Sequence, residues 1–184
     1  TQVSWAWMAS EKAFQSLAIT GMTLAAGFAF IILVLSTKNI IMAFYATINI
    51  FGIVASVGAS IKIVGWYMGI TESVALVILV GFSVDYVVHL ANAYMESNET
   101  NRQQRVSNSL REMGATVLAG AITSFGSSVF MWGATSTFFV KFAALLAFTV
   151  TFSISWSIVF FPSLCYLIGP ENNDWNITKL LSKE

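Results

Sequence analysis

Apolar residues along this chain gather into five long runs with no charge in their interiors except one aspartate, set apart by short polar breaks. The runs lie at about 14–35, 40–61, 73–94, 116–135 and 139–168. A bilayer core takes roughly 20 apolar residues of helix, so each run predicts one membrane-spanning helix. Spanning strands would alternate in polarity at every second residue, and these runs do not. Pro162 falls inside the fifth run and predicts a kink or an end there. The polar stretch 96–114 is the one sizeable connection. Within it Val106, Leu110 and Met113 keep helical spacing, while Arg102, Arg105, Arg111 and Glu112 take other positions. That pattern predicts a short amphipathic helix on the membrane surface, terminated by Gly114. The expected fold is all-α, a polytopic membrane helix bundle of about five transmembrane helices. Residues 1–13 lead in from the outside and 169–184 form a cytoplasmic tail.

Composition agrees. The chain is 57% hydrophobic and only 10% charged, against roughly 25% charged in soluble domains. So much apolar surface requires lipid as solvent, and the bilayer is the first expected partner. Nine basic residues balance nine acidic ones, so no basic surplus points to nucleic acid. The single cysteine, Cys165, excludes an internal disulfide framework and a zinc site of paired thiolates. The sequence begins at Thr1-Gln2-Val3 without an initiator methionine or a signal peptide, which suggests a segment of a longer chain. No Walker loop, paired-histidine zinc motif or Gly-x-Ser-x-Gly elbow is present. Enzymatic catalysis, a metal centre and an organic cofactor are therefore not expected.

Loop charges predict the orientation. Lys38, Arg102, Arg105, Arg111, Lys179 and Lys183 fall on one side; Lys12, Lys62 and Lys141 fall on the other. The richer side is cytoplasmic, which places the carboxy terminus inside and the amino terminus outside. Trp5, Trp7, Trp66 and Tyr67 then lie near the outer interface. Two glycosylation triplets, at Asn98 and Asn176, fall on the cytoplasmic side and read as chance matches.

Asp85 carries the most information. It sits near the middle of the third run, where a charge costs at least ~2.5–3.5 kcal/mol. At helical spacing Gly81, Asp85, His89, Asn92 and Glu96 fall in one narrow arc. This polar stripe must face protein or water. Asp85 is expected to take up and release a proton or small cation, with His89 as neighbour or relay. The plainer reading is a carboxyl hydrogen-bonded across a helix interface. Glu72, at the outer edge of the same run, reads as solvated.

The fourth run carries a second stripe, Thr116, Gly120, Thr123 and Ser127, with Ser124 beside it. Small residues at this spacing suit close helix packing; alternatively, the Thr123 or Ser124 hydroxyl joins a proton path from Asp85. Gly52, Ser56 and Ser60 in the second run read as packing. Asn49, also mid-run, needs a partner on another helix.

The stretch Gly81-Phe82-Ser83-Val84-Asp85-Tyr86-Val87-Val88-His89 resembles the tenth membrane helix of the resistance-nodulation-division superfamily, above all its Patched, Dispatched and Niemann-Pick type C branch. Arg105 to Gly114, Gly120-Ala121-Ile122-Thr123-Ser124, and Phe161-Pro162 to Gly169-Pro170 agree in order and spacing. The resemblance implies helices eight to twelve of a twelve-helix transporter, with the amino-terminal half of the same protein as partner. It also implies a sterol, lipid or lipid-modified cargo and coupling to proton or sodium. Asp85 matches the family's acidic coupling position, and Tyr86 and His89 its flanking motif. A receptor-like or scaffolding relative of the same fold is the alternative; a channel is weaker, because no filter sequence is evident.

Overall fold

The computed structural model describes residues 2–66 and 69–170. Within them the chain is helical throughout: α1 (Gln2–Thr37), α2 (Ile40–Ile63), α3 (Ile70–Glu96), α4 (Arg102–Met131) and α5 (Thr137–Ser155), which runs through a π turn (Trp156–Phe160) into α6 (Phe161–Ile168). Five helical segments are long and apolar enough to cross a bilayer, the last being α5, the π turn and α6 together.

The reversal between α1 and α2 follows from the polar break. Lys38 takes a left-handed conformation, φ 53°, and Asn39 stays extended as the cap of α2. The Asn39 side chain accepts from the amides of Ile41 and Met42 at 3.0 and 3.3 Å, filling donors that a helix start leaves bare. Thr37 donates back to the Leu33 carbonyl at 2.8 Å. Asn101 caps α4 likewise, accepting from Gln103 at 3.3 Å.

α3 lies at the centre and packs against α1, α2, α4 and α5. Leu33, Met42, Ile53, Leu79, Val87 and Leu145 form part of one shared core. Large apolar side chains elsewhere, such as Leu17, Phe28, Ile122 and Phe130, point outward, as they do in a lipid-solvated bundle.

Small residues set the close approaches. A Cβ placed on Gly52 would stand 2.5 Å from Cζ3 of Trp156. The indole is held there: its Nε1 donates to the Ser56 hydroxyl at 3.1 Å, and its ring packs on Phe160 at 4.6 Å. The packing reading of Gly52 and Ser56 holds. Gly52→Ala is expected to cost about 1–3 kcal/mol through overpacking, read as a lower unfolding temperature of the complete protein in nanodiscs.

One expectation is corrected. Gly114 does not end a helix: it is buried within α4, which is continuous from Arg102 to Met131. Nothing interrupts the hydrogen-bond ladder there. Val106, Leu110 and Met113 accordingly pack onto the bundle core and not onto a membrane surface. Of the two outcomes expected at Pro162, a kink or an end, the fifth span shows no end but a local distortion of the helix. The π turn just before this proline absorbs the missing N–H, with the Phe161 amide donating to the Trp156 carbonyl, and the helix continues to Ile168.

The α4 start and the α6 end are tied together by arginines. Arg102 donates to the Leu167 carbonyl at 3.2 Å, and Arg105 to the carbonyls of Glu99 at 2.6 Å and Pro170 at 3.5 Å. Tyr45 donates to Ile168, and Tyr94 to Pro170, both at 3.4 Å. Cations at the carbonyl end of α6 match its dipole. Two of the stretches that carry the family resemblance, one beginning at Arg105 and one closing at Pro170, thus meet in space.

Candidate functional site

α3 presents its polar stripe on the face that the other described helices leave open. Gly81, Asp85, His89 and Glu96 are all exposed. Asp85 Oδ1 stands 3.6 Å from His89 Nε2, with the Asp85 side chain 70% exposed and the His89 side chain 47% exposed. One helical turn separates them, which is the spacing at which side chains on one face meet. The distance allows an ion pair when His89 is protonated.

The neighbours of this face are fixed by two contacts. Asn92, farther along the stripe, turns towards α1 and donates to the Ser36 hydroxyl at 2.6 Å. Tyr86, next to Asp85 in sequence, is buried on the other flank, and a Cβ on Gly120 of α4 would come within 3.7 Å of its ring. Asp85 therefore looks out between α1 and α4. The 3.7 Å separation is ordinary van der Waals contact, so α3 and α4 meet at Gly120 without requiring a glycine there.

Thr123 and Ser127 lie exposed on α4. Their hydroxyls donate to carbonyls of their own helix, Thr123 to Gly120 at 2.7 Å and Ser127 to Thr123 at 2.9 Å. Both oxygens keep lone pairs free to accept. Ser124 is half-buried beside them. The Asp85 carboxylate, the His89 imidazole and these hydroxyls are groups able to bind and pass a proton or a small hard cation. Among the described residues no cluster of His, Cys, Asp and Glu could hold a metal ion.

Glu72 is a correction. It is 1% exposed, not solvated. Its Oε1 accepts from Lys141 Nζ at 2.8 Å, and its Oε2 accepts from the Gly69 amide at 3.1 Å. Lys141 also lies 5.6 Å from the centre of the Trp66 ring. The start of α3 is thereby pinned to the start of α5. Glu72 stands three residues after the cap of α3, the spacing of a capping box, and that was the available signal. The lysine's reach across 69 positions was not readable. The side chains of Trp5 and Trp7, and Tyr67, lie outside the described residues, as do Lys179, Lys183 and Asn176.

A second feature is an apolar pocket of about 520 Å³ between α1 and α2, with Val80 of α3 at its back. Met22, Ala26, Gly27, Phe30, Phe51 and Val54 help line it. The hydroxyls of Thr23 and Thr47 in its wall already donate to their own helices, so the lining suits hydrocarbon.

Residues 6–180 match the MMPL family. The chain is 29% identical to mouse (Mus musculus) protein dispatched homolog 1 over 92% of its length. It is 30% identical to human (Homo sapiens) protein dispatched homolog 2 over 82%, and 28% identical to a Niemann-Pick type C1-related protein of Plasmodium falciparum over 78%. It spans 12%, 11% and 10% of those relatives respectively.

Proposed function

The chain belongs to the MMPL family, as an integral multi-pass membrane protein of the resistance-nodulation-division type in its Patched, Dispatched and Niemann-Pick type C branch, and on that premise we propose that it forms half of the membrane domain of a secondary transporter. The ion is a proton or sodium, and the cargo a sterol, a lipid or a lipid-modified molecule. One observation carries this reading: an aspartate and a histidine, one turn apart within a helix apolar enough to span a bilayer, stand on a helix face that none of the other described helices covers. Left against lipid, such a carboxylate would cost several kcal/mol. A second set of helices must close over it, and the amino-terminal half of the same transporter is the natural cover. Ion binding between the two halves then couples to their relative movement. The hydrocarbon pocket between α1 and α2 supports a lipid-like cargo.

In proteoliposomes holding the complete protein, release of a lipid-type cargo is expected to respond to an imposed proton gradient or an imposed sodium gradient, but not to both equally. Transport indifferent to both would favour the receptor or scaffold reading. The orientation has its own check. With Arg102, Arg105 and Arg111 inside, Asn98 stays unglycosylated, whereas an acceptor triplet introduced between α2 and α3 is modified; sugar on Asn98 would invert the topology.

A further inference from the structure

Buried hydroxyls in apolar helices ordinarily donate to the carbonyl one turn earlier in their own helix, and most here do. Ser83 of α3 donates to Leu79, Ser60 of α2 to Val57, and Thr149 of α5 to Leu145. Ser73 at the start of α3 is an exception, and Ser153 and Ser157 break the pattern together. Both are fully enclosed, and neither hydroxyl has a partner among the described residues. Asn49 of α2 is equally enclosed, and both its amide nitrogen and its amide oxygen lack a partner.

These three residues share a region. α2 and the α5–α6 segment run antiparallel, with Met42 Sδ meeting Cys165 Sγ at 3.9 Å towards one end and Ser56 bonded to Trp156 towards the other. Asn49 lies midway between these two fixed points, which puts it level with the end of the π turn, about one turn from Ser157. Ser153 follows about one turn farther along the same face. At this level the backbone ladder also loses a donor, because Pro162 has no N–H. An interruption of this kind is where water enters a helix.

We propose that Asn49, Ser153 and Ser157 form a binding site for buried water at the π turn, inside the bundle and apart from Asp85. Four unpaired polar atoms in a lipid-embedded core are strongly unfavourable without a partner, and a buried water bonds to about three such groups. Water fits better than a cation. The amide nitrogen of Asn49 must donate, which a metal ion cannot accept. Neither α2 nor the α5–α6 segment contains an Asp or Glu to balance a positive charge.

The test uses the complete protein in nanodiscs and the near-isosteric Asn49→Leu. If water is bound, the leucine expels it and strands both serine hydroxyls, so the unfolding temperature falls by several degrees. Adding Ser153→Ala and Ser157→Ala to the same chain recovers most of the loss. If the site is dry, Asn49→Leu removes an unpaired amide and raises the unfolding temperature, which overturns the proposal. Radiolytic labelling in ¹⁸O-water gives a second reading independent of stability. Phe161, itself only 2% exposed, should incorporate ¹⁸O in the wild type and much less in Asn49→Leu. Equal labelling of the two proteins also overturns it.

Discussion

Under the proposed function, Asp85→Asn in the complete protein is expected to remove the response of cargo flux to an ion gradient and to leave insertion and folding intact. Asparagine keeps the size and hydrogen bonding of the side chain but cannot give up a proton or carry the charge that holds a cation. The side chain is 70% exposed on an open face of α3, so the substitution disturbs no packing within these helices. The expected effect is large. One charge moved through 100 mV is worth about 2.3 kcal/mol, and about 1.4 kcal/mol is a factor of ten. A single coupled ion therefore sustains a cargo ratio of about 50, and the variant's ratio should fall to about 1. The measurement is cargo distribution across proteoliposomes at fixed membrane potential. A ratio unchanged by the substitution would reduce Asp85 to a polar contact between halves.

Lys141→Met should be the most destabilising single change outside the core. It leaves the Glu72 carboxylate, 2% exposed, with only the Gly69 amide for company. Breaking a buried pair costs ~3–5 kcal/mol. The lysine side chain is 39% exposed, and solvent screening on that side brings the expectation down to about 2–3 kcal/mol. The double variant Glu72→Leu/Lys141→Met should recover most of this, because apolar residues of similar volume replace the pair without a desolvation cost. Thermal unfolding in nanodiscs of the two single variants and the double one gives the coupling directly. Additive losses would mean that the two charges act independently.

The helices were legible because the bilayer imposes one strong rule. An apolar run of sufficient length must satisfy its own backbone, and all five expected spans correspond to observed helical segments. The pairing of Asp85 and His89 was legible for a related reason: residues four apart on a helix share a face, and the two do approach each other. What escaped depended on partners distant in sequence. Glu72 read as solvated because its position at a helix end gave no sign of Lys141, 69 residues later. Arg102 and Arg105 looked like the polar face of a surface helix, yet they reach the carbonyls that end α6. Asn92 belonged to the expected stripe but turns to Ser36, so the stripe is shared between α3 and α1. Gly114 misled because glycine ends helices in water, where its bare backbone can be solvated. Within a packed bundle it is simply a small buried residue.

The coupling role of Asp85 is tested most directly by infrared difference spectroscopy of the complete protein in lipid, comparing wild type with Asp85→Asn as pH or sodium is changed. A carboxyl band that appears or shifts with one of those ions in the wild type, and is missing from the variant, is the predicted result. Identical difference spectra from the two proteins would show that Asp85 exchanges no ion, and would contradict the coupling role.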